Sequence, residues 1–179
     1  MAVKKVKAGK NPPHDINVVI EIPGGSSGGS PIKYEIDHES GAIVVDRIIS
    51  TPMFYPCNYG FVPHTLCEDG DPVDVLVHAG FDLLPSVVIA CRPIGVLKMS
   101  DDGGEGDDKI IAVPVSKVDP FQSAIKSIED LPEIMRGRIQ HFFERYKDLE
   151  PGKWSKIKGW GSREEAENII LAALKKYSS

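Results

Sequence analysis

Apolar positions along the chain follow two rhythms. In residues 32–37, IKYEID, Ile32, Tyr34 and Ile36 alternate with Lys33, Glu35 and Asp37. A period of two predicts a strand with one apolar face, and Lys33 and Glu35 share the polar one. NVVIEI at 17–22 also reads as a strand, and the intervening PGGSSGGSP reads as a long, flexible hairpin connection. Its core, 24–30, is expected to be a solvated connector remote from any chemistry. Further strands are predicted at 42–48, 73–78, 86–97 and 109–115, with a short one near 153–158.

The second rhythm is helical. Leu131, Met135, Ile139, Phe142, Phe143, Tyr146 and Leu149 recur at helical spacing across 131–149, and Asp130 with Pro132 forms a start signal. Across 162–177, Ser162 and Glu165 have capping-box spacing ahead of an apolar stripe of Ala166, Ile169, Ile170, Ala173 and Leu174. Both helices follow the strands. That order, with many short strands punctuated by Gly and Pro, predicts a mainly β fold, a barrel or sandwich with the helices packed outside, rather than βαβ units. The 179 residues are read as a single domain spanning 1–179.

Composition narrows the function classes. The chain is 41% hydrophobic and 26% charged, ordinary for a globular protein, and its net charge of −5 argues against a nucleic-acid binder, which needs a basic stripe. Cys57, Cys67 and Cys91 are odd in number and widely spaced, which fits a reducing cytoplasm better than a disulfide framework or a zinc site. The start, MAVKKVKAGKNPP, has lysines without an apolar stretch behind them and does not read as a secretory signal; no apolar run approaches a membrane span.

The chemistry concentrates in DGDPVDVLV, 69–77. Pro72 biases Asp71 toward extended backbone, and Gly70 with Pro72 invites a bend that would let Asp69, Asp71 and Asp74 converge. A second acidic run, SDDGGEGDDK at 100–109, ends at Lys109 before another strand; taken alone it reads as a solvated loop. Neither run has EF-hand spacing. Carboxylates without paired cysteines, and with His14, His38, His64, His78 and His141 scattered and read as structural or exposed, point to a hard cation, Mg²⁺ or Mn²⁺. Lys33, Arg47, Lys109 and Lys147 are each ordinary surface charges in isolation. Beside a carboxylate–metal cluster they would suit a strongly anionic, phosphate-like ligand, because bound cations invert the local field.

The strings IKYEIDHESGAIVVDR, MFYPCNYGFVPHTLCEDGDPVDVLV, CRPIGVLKM and HFFERYKDLEPGKW resemble the soluble inorganic pyrophosphatases of family I, bacterial type, from about Pro13 to Trp160. The resemblance implies a five-stranded, OB-like closed β-barrel with two flanking helices, hydrolysis of pyrophosphate to two phosphates, several Mg²⁺ ions per site, a homohexamer and a cytoplasmic location. By position it implies that Asp69, Asp74 and Asp107 hold a first metal, Asp74 also serving a second, and that Asp71 is the general base. Asp101 and Asp107 would hold a metal arriving with substrate, and Glu21 and Glu35 a further one. Lys33, Arg47, Tyr146 and Lys147 would grip the phosphates, with Tyr55, Tyr59, Lys109 and Asp102 in support. The chain departs from the family pattern in a longer loop at 24–30, one extra residue in the acidic loop, and Asp102 where a Glu is expected. Two alternatives carry less of the sequence: another two-metal phosphohydrolase acting on nucleotides or phosphate esters, and an OB-type module for single-stranded nucleic acid, which would need a basic groove with stacking aromatics.

Overall fold

The computed structural model describes residues 3–25, 29–37, 39–104 and 106–179. Ser26, Ser27 and Gly28 of the Gly/Ser loop, His38, and Glu105 of the acidic run lie outside the described residues. The strands are β1 (Ile16–Ile22), β2 (Ile32–Ile36), β3 (Ile43–Ile48), β4 (Asn58–Phe61), β5 (Asp74–Val77), β6 (Val88–Asp101), β7 (Lys109–Pro114) and β8 (Ser155–Gly161). The helices are α1 (Glu133–Arg145) and α2 (Arg163–Tyr177). The fold is therefore mainly β with two helices.

Six strands form one sheet in the order β1–β4–β5–β7–β6–β8, and β6 also pairs with β1, so the ladder runs from β1 round to β6 and back. Strand alternation divides continuous apolar runs between two cores. Every residue of β7 is buried. Its Ile110 and Ala112 pack with Ala166, Ile170 and Ala173 of α2, while Ile111 and Val113 pack with Ile139, Phe142 and Phe143 of α1. Each face of the strand is thus covered by a helix, which is why the run is apolar at successive positions rather than alternate ones. Burying each such aliphatic side chain stabilises the fold by roughly 1.5–3 kcal/mol.

β2 and β3 form a separate two-stranded ribbon. This corrects the hairpin expectation for 17–37: β2 pairs with β3, and β1 with β4 and β6. The Gly/Ser loop is also not remote at its described ends. Gly25 N donates to Tyr55 O at 2.9 Å and Gly24 N to Asn58 Oδ1 at 3.0 Å. A Cβ at Gly25 or Gly29 would run into the Phe54 ring, so the absence of side chains lets the loop close on the segment that carries Tyr55.

α2 starts as its sequence predicts. Ser162 Oγ accepts from Glu165 N at 3.2 Å, and Glu165 Oε2 accepts from Ser162 N at 2.7 Å. α1 is shorter than its apolar periodicity. Asp130 caps the preceding turn instead, accepting from Lys126 N at 2.7 Å and Ser127 N at 2.9 Å, and Pro132 enters the helix without a side-chain cap. The helix stops at Arg145, leaving Tyr146 and Lys147 in the following turn and Leu149 62% exposed.

Candidate active site

The DGDPVD segment follows β4 through a tight loop. Thr65 Oγ1 donates to Val62 O at 2.6 Å and accepts from Val73 N at 2.9 Å, pinching its two ends together. Gly70, at φ +96°, makes the bend, a conformation that glycine adopts without steric cost. Asp71 and Asp74 then line one cavity of about 410 Å³. Asp69 stays exposed outside its lining, with Oδ1 accepting from Asp71 N at 3.0 Å. The bend therefore brings two of the three aspartates to the cavity.

Several other regions reach the same space. Glu21 comes from β1, and its Oε1 accepts from Ile36 N at 2.9 Å, bracing the ribbon against the sheet. Asp101 comes from the end of β6, Asp102 and Asp107 from the acidic loop between β6 and β7, and Lys109 from the start of β7. Lys109 Nζ donates to Asp74 Oδ2 at 2.6 Å and to Asp107 Oδ1. Lys147, just beyond α1, donates to Asp101 Oδ2 at 2.6 Å and Asp102 Oδ1 at 2.7 Å. Lys33, Glu35 and Arg47 enter from the ribbon, with Lys33 Nζ 2.6 Å from Glu35 Oε1. Tyr55, Tyr59 and Tyr146 complete the wall, backed by Phe142 and Phe143; Tyr55 lies 5.1 Å from Tyr59 and 4.7 Å from Phe142 between ring centroids.

Three residues lay outside the sequence reading. Lys153 lines the cavity and lies 2.7 Å from Asp102 Oδ2. Asp46 and Glu150 contact Arg47, at 3.0 Å from Nη1 and 3.5 Å from Nε respectively. In the sequence each is one surface charge among many; for Lys153, its place in EPGKW, at the end of a matching string, was the available signal.

The electrostatics are those of crowded acids. Burial pushes Glu21 up from 4.5 to about 8, with Asp74 and Glu35 adding repulsion against the Ile36 hydrogen bond. Burial also raises Asp107 from 3.8 to about 6 despite Lys109. Asp71 is raised by burial and then by Asp69 and Asp74. Asp102 goes the other way: burial opposes ionisation, but hydrogen bonds from Lys147 and Lys153 hold it well below the usual carboxylate range. Burial lifts the phenols of Tyr55, Tyr59 and Tyr146 above their ordinary value, keeping them as O–H donors near neutral pH.

Among the described residues, seven carboxylates and five cationic side chains line the cavity, and neither cysteine nor histidine does. An all-oxygen donor set is the chemistry of a hard divalent cation. Added positive charge would counter the rise of Glu21, Asp71 and Asp107. Among the described residues no three acids gather closely enough to hold a metal at once. Asp74 with Asp107, and Asp101 with Asp102, are instead bridged in pairs by lysine ammonium groups. The donors fit such a cation in type and in sharing one cavity.

The chain is similar to known proteins along nearly its whole length. A family model for inorganic pyrophosphatase matches residues 18–178. An inorganic pyrophosphatase of Caulobacter vibrioides is 52% identical, covering 99% of this chain and 98% of its own. One from Escherichia coli strain K12 is 56% identical, covering 98% of both. The crystal structure of inorganic pyrophosphatase from Thermus thermophilus superposes with a TM-score of 0.92 at 42% identity, covering 100% of each chain. With its acidic and cationic side chains converging on one cavity and its likeness to these proteins extending along nearly all its length, the chain belongs to the inorganic pyrophosphatase family.

Proposed function

We infer that the chain hydrolyses inorganic pyrophosphate to two orthophosphates, in a metal-dependent reaction. The observation that carries this reading is the mixture of charge in one cavity: acids suited to hard cations on the sheet side, and Lys33, Arg47, Tyr146 and Lys147 suited to phosphate oxygens. Mg²⁺ is the proposed metal, with Mn²⁺ as the alternative, held by Asp69, Asp74, Asp101 and Asp107 with help from Glu21 and Glu35. Asp69 would join the set by releasing its hydrogen bond to Asp71 N. Cations held by these residues would lower the pKa of a bound water from about 15.7 toward about 7.

Asp71 is the proposed general base. Its raised pKa makes it a better proton acceptor, and it lines the same cavity as Asp74. Lys33, Arg47 and Lys147 orient the pyrophosphate oxygens and offset the charge that builds on the leaving phosphate. The protonated Tyr146 donates to the same oxygens. Tyr55, Tyr59, Lys109 and Asp102 hold these groups in place: Lys109 lies 5.9 Å from the Tyr59 ring centroid, and Asp102 joins Lys147 to Lys153.

We further read the ring of strands β1–β4–β5–β7–β6 as a closed OB-like barrel, and the chain as one pyrophosphatase domain. No helix among the described residues is long and apolar enough to cross a membrane; a cytoplasmic location and a homohexamer are proposed from the family. The outward Ile43, Val44, Val45 and Ile48 of the ribbon give a subunit contact an apolar surface.

Phosphate release from pyrophosphate and from ATP, each with Mg²⁺ and with chelator, tests the function. The expected result is rapid release from pyrophosphate with Mg²⁺, little from ATP, and none in chelator. Equal or faster release from ATP would assign the site to a nucleotide phosphohydrolase instead.

A further inference from the structure

Lys33 and Arg47 face each other directly across the ribbon, as a register pair. Like charges in that position repel. Strict alternation along β3 would turn Asp46 to the opposite face from Arg47. The register, however, slips between Lys33 and Tyr34: Lys33 pairs with Arg47, Tyr34 pairs with Val45, and Asp46 is left as the extra residue of a bulge. Such a bulge re-aims side chains. Here it brings Asp46 Oδ2 to 3.2 Å from Lys33 Nζ and 3.0 Å from Arg47 Nη1. Lys33 and Arg47 line the cavity, and Asp46 lies outside its lining.

We propose that Asp46 is a positioning residue, which the bulge in β3 inserts between the two proposed phosphate-gripping cations to hold them at fixed spacing. The proposal rests on the pyrophosphatase reading of the site. One carboxylate oxygen shared by both cations offsets their repulsion before the substrate arrives. Glu35 and Glu150 cannot do the same work, since each meets only one of the two cations. Because Asp46 is itself anionic, its removal does not weaken the attraction of the pair for pyrophosphate. It loosens their geometry.

The test is a double-mutant cycle on pyrophosphate hydrolysis at saturating Mg²⁺, using wild type, Asp46→Asn, Arg47→Ala and the double variant. Asp46→Asn lowers kcat about tenfold without raising KM, within the coupling seen between members of one ion-pair network. In the Arg47→Ala background, where the cross-strand repulsion is gone, the same change costs less than about twofold. Losses that multiply independently, or a raised KM with kcat retained, would overturn the proposal. If Asp46→Asn lowers the melting midpoint, Asp46→Glu replaces it in the test: recovery of most turnover supports the positioning role, and a loss equal to that of Asn refutes it. Wild type that releases no phosphate would sink the pyrophosphatase reading itself, a result distinct from any outcome of the cycle.

Discussion

The six-stranded sheet and the two-stranded ribbon both bring charged side chains to one cavity, mostly acids from the sheet and Lys33, Arg47 and Glu35 from the ribbon, on supports of different stiffness. Glu21, Asp74, Asp101 and Lys109 sit on β1, β5, β6 and β7, whose apolar neighbours are buried between two helices. Lys33 and Arg47 sit on β2 and β3, where Val45 is 58% and Ile48 67% exposed. A two-stranded ribbon is marginal by itself, and this one is tied to the sheet by the Glu21–Ile36 hydrogen bond. The contrast teaches a division of labour. Ligands for a small hard cation need fixed geometry, and most of the proposed ones stand on or beside the close-packed sheet, Glu35 of the ribbon excepted. Groups that receive a phosphate ion and let it go can stand on a lighter arm.

The largest effect separates chemistry from binding on the sheet side. Asp71→Asn is expected to lower turnover by about 10²–10⁴-fold, because an amide cannot take the proton. The loss should ease as pH rises and solution hydroxide substitutes, with Mg²⁺ affinity largely kept. A pH–rate profile decides it: a deficit that stays constant from neutral to alkaline pH contradicts the role.

Stability should follow the same contrast between regions. Ile111→Ala, in the fully buried β7, is expected to cost about 2–5 kcal/mol in denaturant unfolding. A cost below about 1 kcal/mol, outside that range, would mean the sheet is not the rigid half.

Glu21 and Asp107 give that rigid half a pH signature. Their folded pKa values are raised, from 4.5 to about 8 and from 3.8 to about 6. The folded protein therefore binds protons more tightly than the unfolded chain through these windows. Their contribution is favourable below pH 4 and is lost as pH rises toward 8. In chelator, the thermal midpoint should fall between pH 5 and pH 8, and Mg²⁺ at pH 8 should restore it. A midpoint that climbs across that interval in chelator would contradict the crowding of acids.

The smallest effect belongs to the ribbon. Ile48→Ala is expected to change protomer stability by no more than about 0.5 kcal/mol. If the ribbon forms a subunit contact, the same substitution shifts the sedimentation profile toward smaller species. A large loss of stability at unchanged assembly would mean that the ribbon belongs to the core.

Much of this was legible in the sequence because it obeys local rules. The capping box of α2, the alternation of β2 and the bend at Gly70 all depend on neighbours a few residues apart. β4 was not read, since NYGF is too short for a period and its Gly60 weakens the strand signal. That glycine is there because the Val19 carbonyl of β1 packs where a Cβ would stand. The end of α1 was overrun because Tyr146 keeps the helical spacing while serving the site from the turn beyond it. Asp46 was not read, because only the register slip between the two strands of the ribbon brings it to Lys33 and Arg47, and no local pattern in β3 announces that slip. Asp69 was read with its two neighbours, but its hydrogen bond to Asp71 N turns it outward.

The most direct test of the division between sheet and ribbon is a calorimetric Mg²⁺ titration of wild type, Asp74→Asn and Arg47→Ala. Losing even an outer partner of a metal ligand typically costs about 10–100-fold in affinity, so Asp74→Asn is expected to weaken Mg²⁺ binding by at least about tenfold. Arg47→Ala should leave it unchanged. If Arg47→Ala weakens Mg²⁺ as much as Asp74→Asn does, or if Asp74→Asn binds Mg²⁺ like wild type, the two halves of the cavity do not divide the work as described.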